Sequence, residues 1–346
     1  MSDKVAVLVA GSWGTALASV LASNNREVWV WTRTEEQARE INESHTNSRY
    51  LPRITLPSNI QATTDMKAAV ESAAAVVIVA PSSAMREVAG QLKEHWNDEK
   101  LVIHATKGFE LDSLKRMSTV IAEELGCEEG RIVVLSGPSH AEEVVRRCPT
   151  TVVVASADAG AAEAAQDLFM NTYFRVYTNR DMLGVELAGA LKNIIALGAG
   201  MSDGLGFGDN AKAALITRGI AEMLRVGMEM GANPLTFAGL AGIGDLVVTA
   251  TSRHSRNWRA GSMLGQGKSL DEVLSSMGMV VEGVRTTKAA YTISQKYGVQ
   301  MPIADQLYHV LFENRDPRSA VEGLMGRGPK TEMEMMPLET WEQWHT

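Results

Sequence analysis

The chain is poor in cysteine, with only Cys127 and Cys148 among 346 residues. Two cysteines make neither a disulfide framework nor a zinc site, and they fit a reducing compartment. The seven histidines never fall within five residues of one another, so the close pairing of a helical metal motif is absent. Positive charge is short as well. Lys and Arg number 33 against 41 Asp and Glu, a net charge of −8, whereas binding to a nucleic-acid backbone calls for a basic face. The longest uninterrupted apolar runs, such as Ala73 to Ala80, stay far below the ~18–20 residues of a membrane span. Met1-Ser2-Asp3-Lys4 passes directly into a strand-like stretch, without the apolar core of a signal peptide. These absences predict a soluble cytoplasmic protein that takes no metal, no nucleic acid and no bilayer. Hydrophobic residues make up 45% of the chain and charged ones 21%, a globular balance. The length suggests about two domains.

The chain reads in two halves. Up to Asn179, short β-branched runs alternate with amphipathic segments: Val5–Val9, Val28–Trp31, Ala75–Ala80, Leu101–Ala105, Ile132–Leu135, Thr151–Ala155 and Phe174–Tyr177. Near-continuous apolar strands separated by helices predict a parallel sheet covered on both faces. After Arg180 the strand signal stops. Stretches rich in Ala, Leu, Met and Gly follow at 185–200, 211–230 and 235–249, then at 270–277, 282–297, 303–314 and 320–325. Their apolar spacing suits helices, punctuated at Gly231, Pro234, Gly278, Gly298, Pro302 and Pro317. The fold class is therefore α/β, a mostly parallel sheet followed by an all-α C-terminal domain. The expected division is 1–180, 181–330 and a loosely ordered tail at 331–346 containing Trp341 and Trp344.

Val9-Ala10-Gly11-Ser12-Trp13-Gly14 stands between the first strand and a helix. A dinucleotide pyrophosphate sits in such a place on exposed N–H groups, and the fingerprint is G-x-G-x-x-G. Gly11 and Gly14 supply the second and third glycines, for close approach of the pyrophosphate and for helix–strand packing. Val9 takes the place of the first, so strain or crowding is expected in the turn. The motif makes the N-terminal domain Rossmann-like and doubly wound, although an ordinary strand–helix turn has a similar composition. At the end of the second strand, Arg33 replaces the acid that would accept the ribose hydroxyl of NAD, which favours NADP(H) and leaves NAD(H) as the alternative. Glu35 and Glu36 follow and remain within reach of a ribose. A solvated surface arginine is the plainer reading.

Polar residues interrupt small-residue sequence at several further places. Lys107 follows a strand, where ligands of open α/β sheets bind, though surface lysines are common there. Ser136, Gly137 and Ser139 form either a polar cradle at another strand end or a turn capped by Ser139. Lys192 is a single lysine in an apolar helix, sharing its face with Ala188, Gly189, Ala196 and Ala199. Small residues there leave a hole. Held in it, the lysine loses hydration, its pKa falls, and it becomes a proton donor near neutral pH. Snorkelling at a helix edge is the alternative. Asp245 follows Gly242-Ile243-Gly244, and Arg253 to Arg259 combine arginines with Ser255 and Asn257 ahead of a short helix, the composition of a phosphate pocket. The glycine-rich stretch from Asp203 to Asn210 lacks the acids of a calcium loop and reads as an interhelical turn with Asp209 or Asn210 as cap.

Together these segments resemble bacterial-type NAD(P)-dependent glycerol-3-phosphate dehydrogenase. The resemblance rests on GSWGTALA at 11–18, ATKGFE at 105–110, SGPSHAEEV at 136–144 and ELAGALKNIIALGAG at 186–200. DGLGFGDNAKAALITRG at 203–219, GIGDLVVT at 242–249, SRN at 255–257, VVEGV at 280–284 and EGLMGR at 322–327 extend it over nearly the whole chain. It implies reversible reduction of dihydroxyacetone phosphate to sn-glycerol 3-phosphate, feeding glycerophospholipid synthesis, by a homodimer. It implies Lys192 as catalytic lysine. Substrate contacts fall on Lys107, Gly137, Ser139, Asp245, Ser255, Arg256 and Asn257. Cofactor contacts fall on Ser12, Trp13, Arg33, Tyr50, Lys107, Ala141, Arg256, Val280 and Glu282. In residue chemistry, Lys192 would protonate the carbonyl oxygen, Lys107 would favour the oxyanion, Asp245 would orient Lys192, and Arg256 with Asn257 would hold the phosphate. Val9 departs from the family's glycine, and Ala250 stands where relatives often carry cysteine.

Overall fold

A computed structural model describes residues 4–329 and Glu332. The tail expected to be loosely ordered lies outside the described residues, Glu332 excepted. Eight strands form one sheet: β1 (Lys4–Leu8), β2 (Glu27–Trp31), β3 (Ile60–Thr63), β4 (Ala75–Ile78), β5 (Leu101–His104), β6 (Ile132–Ser136), β7 (Thr150–Ala155) and β8 (Phe174–Asn179). Their order is β3-β2-β1-β4-β5-β6-β7-β8, parallel throughout except where β7 runs against β6. Chain order reverses between β1 and β4, which opens a crevice at the carboxyl ends of these strands. The inner strands β1, β4, β5 and β6 are buried on both sides because helices cover both faces. One apolar layer centres on Leu17, Leu21 and Ile103 and the other on Met85, Leu92 and Ile121.

Three sequence expectations need correction. The strand β3 went unforeseen because it is an edge: Ile60 and Ala62 are buried, Gln61 is exposed, and no continuous apolar run marks it. The first strand ends at Leu8, because Val9 turns into the left-handed region with φ of 78°. The stretch 235–249 is not one helix but Pro234–Phe237, a π-helical turn Leu240–Gly244, and a helix Asp245–Thr251. The chain doubles back so closely there that a Cβ on Gly242 would lie 2.0 Å from the Phe237 carbonyl oxygen. Two caps also fall elsewhere. The helix after the glycine-rich turn starts at Gly208 with Phe207 before it, so neither Asp209 nor Asn210 caps it. Ser139 caps nothing; its hydroxyl donates to the Gly137 carbonyl at 2.9 Å.

The helical half is built around the core helix Met182–Gly204, of which Ala188, Leu191 and Leu197 are wholly buried. Length and composition alone would let Met182–Gly204 or Pro234–Thr251 cross a membrane; the first is 94% buried inside the protein and the second is broken as described. The helix Arg256–Gly265 crosses the core helix with almost nothing between the backbones. Added Cβ atoms would meet backbone oxygens at 1.9 Å on Gly200, 2.3 Å on Gly204, 1.9 Å on Gly261 and 2.4 Å on Gly265. Four glycines thus set the separation of the two helices, and that separation brings Ser255, Arg256 and Asn257 beside Lys192 and Asn193. Gly261→Ala must push the helices apart, and overpacking of this kind costs ~1–3 kcal/mol. A lowered Tm in thermal unfolding is expected; an unchanged Tm would mean that the crossing relaxes freely.

Candidate active site

The crevice continues into a cleft of about 450 Å³ between sheet and helices. At one end lies the loop after β1. Val9 N–H donates to the Trp31 carbonyl at 3.1 Å and Gly11 N–H to the Val9 carbonyl at 3.0 Å, so the turn is closed despite its β-branched residue. A Cβ on Gly14 would sit 2.2 Å from the Val9 oxygen, which explains the third glycine as a packing requirement. Around Gly11 there is open space. The helix Ser12–Ser23 begins there with its free N–H groups toward the cleft end, a fitting cradle for a pyrophosphate. Asn47 and Gln37, which carried no signal in the sequence, hold the Ala10 carbonyl at 3.0 and 2.7 Å and keep this loop in place.

Arg33 lines the same end with Ser12, Trp13 and Tyr50, whose carbonyl accepts the Ser12 hydroxyl at 3.0 Å. Arg49, not singled out from sequence, lines it too, its guanidinium 5.6 Å from the Tyr50 ring centre. Glu35 and Glu36 do not line the cleft; they occupy the first turn of the helix Glu35–Arg39, and Glu35 accepts the Thr64 hydroxyl.

At the other end two lysines share one buried carboxylate. Asp245 Oδ1 lies 2.5 Å from Lys192 Nζ and Oδ2 lies 2.5 Å from Lys107 Nζ. Lys192 also donates to the Thr249 hydroxyl at 2.6 Å, which in turn donates to the Asp245 carbonyl at 2.6 Å. The lysine does not snorkel; only 4% of it is exposed. Burial lowers its pKa to about 7, with Lys107 adding to the effect and Asp245 opposing it. Burial works against ionisation of Asp245, but the two ammoniums outweigh it and hold its pKa below the usual value. The small-residue face does not leave an empty hole. Gly189 clears the space that the Ser136 hydroxyl fills, since a Cβ there would lie 2.9 Å from Ser136 Oγ, with the Lys107 stem in ordinary contact alongside.

Beyond the lysines, Ser255 caps the crossing helix by accepting Trp258 N–H at 3.2 Å, and Arg256 and Arg259 line the cleft while Arg253 does not. Asn257 accepts Gly283 N–H and donates to Asn193 Oδ1, both at 2.8 Å, so it links the core helix to the start of Glu282–Tyr297. Glu282 reaches across to the sheet, accepting Ser82 N–H at 3.1 Å and its hydroxyl at 2.8 Å; burial raises its pKa against these bonds. His140 and His254, both missed in the sequence, face one another in the cleft with ring centres 5.8 Å apart. Ser139, Ala141 and Val280 line the cleft as well. Gly137 stands apart: it lies behind Lys107, offering its carbonyl at 3.3 Å, and does not line the cleft.

The arrangement combines an anion cradle, cationic groups at both ends, and a buried lysine that exchanges a proton near neutral pH. Family models agree with that character. One described as NAD-dependent glycerol-3-phosphate dehydrogenase N-terminus matches residues 4–162, and one described as its C-terminus matches residues 181–322. The chain is 59% identical over 335 residues to glycerol-3-phosphate dehydrogenase (NAD(P)+) of Lysinibacillus sphaericus, covering 96% of this chain and 99% of that protein. Its counterpart in Geobacillus kaustophilus is 59% identical over 333 residues, covering 96% and 97%. Among solved structures, glycerol-3-phosphate dehydrogenase of Coxiella burnetii superimposes with a TM-score of 0.89 at 40% identity, covering 94% of this chain and 99% of that one.

The turn at Val9 makes its own prediction. A β-branched residue at positive φ carries about 1–3 kcal/mol of strain. Glycine removes that strain and returns part of it as unfolded-state entropy. Because the loop is already closed around valine, the gain from Val9→Gly is expected in folding, as a Tm raised by ~1–3 °C. A lower Tm in the variant would show that valine packing outweighs the strain.

Proposed function

The chain belongs to the NAD-dependent glycerol-3-phosphate dehydrogenase family, and from this premise we propose that it reversibly reduces dihydroxyacetone phosphate to sn-glycerol 3-phosphate with NADP(H), or less readily NAD(H). The observation that carries the reading is the buried Lys192 on Asp245, with a pKa of about 7, at the carboxyl end of the sheet. Residues 1–180 serve as the dinucleotide domain and 181–330 as the substrate domain. The protein works as a cytoplasmic homodimer whose product supplies glycerophospholipid synthesis.

Gly11, Ser12, Trp13, Gly14, Tyr50 and Arg33 would hold the dinucleotide, with Ala141, Val280 and Glu282 along its length. When bound, its nicotinamide supplies the hydride. The residues of this chain supply everything else. Arg256 and the start of the crossing helix receive the substrate phosphate, with Ser255 and Asn257 beside them. Lys192 gives its proton to the carbonyl oxygen, and Lys107 stabilises the negative charge developing there. Asp245 keeps both ammoniums aimed at one point and favours reprotonation of Lys192. In the oxidative direction the same lysine, neutral, removes the hydroxyl proton.

Lys192→Ala leaves the fold and NADPH binding intact and costs ~10²- to 10⁴-fold in turnover of dihydroxyacetone phosphate. Retention of more than about a tenth of the turnover would pass the role to Lys107. The pH profile follows from the direction of proton flow. Reduction needs Lys192 charged, so its kcat falls as pH rises through about 7. Oxidation needs it neutral, so its kcat rises over the same range. Profiles measured in both directions should cross; parallel profiles would exclude a shared acid–base lysine.

Arg33→Ala lowers kcat/KM with NADPH and leaves that with NADH nearly unchanged, because only NADPH carries a 2′-phosphate. Equal losses with both cofactors would make Arg33 structural.

A further inference from the structure

A second buried charge cluster lies behind the lysines, outside the cleft. Glu186 sits in the second turn of the core helix with 7% of its surface exposed. Its carboxylate meets four groups. Ser118 donates its N–H at 2.9 Å and its hydroxyl at 2.6 Å, Arg116 donates a guanidinium N–H, and His104 Nε2 lies 3.1 Å away. Arg116 continues to Glu129, which also accepts the Thr119 hydroxyl at 3.0 Å. Burial disfavours the anion, but His104, Arg116 and Ser118 reverse that and hold the carboxyl at about 2, so Glu186 is charged at any neutral pH. Burying this many charges is expensive where apolar packing would serve as well.

The place of the cluster in the chain suggests its use. His104 ends β5, three residues before Lys107, and is wholly buried. Glu186 precedes Lys192 on the core helix by six residues, a rise of ~9 Å. The same strand and helix therefore meet twice: at the 3.1 Å contact of Glu186 with His104, whose ring nitrogens make no well-aligned hydrogen bond, and at Asp245, which hydrogen-bonds both Lys107 and Lys192. The first contact contains no group that faces the cleft. A slip of the helix along β5 would change the spacing of the two ammoniums, and displacements of ~1 Å at a reacting site can cost 10²-fold in rate.

We propose that Glu186 is a positioning residue: with its carboxylate seated against His104, it fixes the core helix at the end of β5, and so sets the separation of Lys107 and Lys192 across Asp245. The proposal rests on the reading of Lys192 as the proton donor. Glu186→Gln keeps the shape and removes the charge. Expected are a kcat for dihydroxyacetone phosphate reduction lowered about 5- to 100-fold, little change in KM or in NADPH affinity, and a displaced ionisation in the kcat–pH profile. The displacement arises because Lys192 feels Lys107 and Asp245 at a new distance, with His140 the other titratable group coupled to it. Glu129→Gln is the control, since Glu129 touches Arg116, Ser118 and Thr119 but neither β5 nor the core helix. It should lower Tm and leave the profile in place. If Glu186→Gln fails to fold, His104→Leu, which has no polar atom to set against the carboxylate, tests the same contact with the other bonds of Glu186 kept, and the same loss and displacement are expected. A folded Glu186→Gln or His104→Leu variant with wild-type kcat and profile overturns the proposal, as does an equal displacement in Glu129→Gln. Either result beside an inactive Lys192→Ala variant leaves the proton-donor reading standing; an active Lys192→Ala variant removes that reading first.

Discussion

One buried carboxylate between two ammoniums governs this molecule. Asp245 is 1% exposed, and 2.5 Å contacts on both of its oxygens consume its capacity for strong partners. One negative charge cannot neutralise two positive ones, so the trio carries a surplus positive charge in a place with little water. Desolvation and that surplus fall on Lys192, the deeper of the two lysines, and make its proton easy to give up. The surplus charge also suits a site in which oxyanion character develops.

The remainder of the architecture serves to assemble that trio. Lys107 comes from the end of a strand, Lys192 from a helix about ninety residues later, and Asp245 from the helix after a π-helical turn. No local rule brings them together. The parallel sheet supplies the crevice at its point of reversed chain order, and the core helix is laid across it. The four glycines of the helix crossing then bring the phosphate-binding composition of residues 255–257 within reach of the same cleft. A helix pair packed at ordinary separation, with side chains between, would leave the two groups apart.

Glycine is used here chiefly for closeness. Gly14 lies under the Val9 carbonyl, Gly189 against the Ser136 hydroxyl, and Gly200 and Gly261 against opposing backbones. Val9 shows the reverse: a position whose conformation asks for glycine holds valine, and the turn closes all the same. The loop is over-determined by its neighbours, since Asn47 and Gln37 grip Ala10 from outside and Gly14 admits the Val9 oxygen from inside.

Much of this was legible in the amino-acid order. Apolar, β-branched runs identify seven of the eight strands, most plainly the inner ones, because strands covered on both faces cannot hide their hydrophobicity. Gly298 and Pro302 mark helix ends because left-handed caps and first-turn prolines are local requirements. Lys192 stands out because a lone charge among small apolar residues has few places to go. What sequence could not supply were relations between distant segments. The edge strand β3, with one face in water, carries no continuous apolar signal. Asn47, Thr249 and His254 are ordinary polar residues until folding sets them beside Ala10, Lys192 and His140. Composition and periodicity determined which residues are buried and which elements they form, since those depend on neighbours along the chain. Only the tertiary structure decided that Asp245 is shared, that the Ser136 hydroxyl fills the space beside Gly189, and that Gly137 stands behind the site. Those facts depend on distances between atoms of remote segments, set by packing alone.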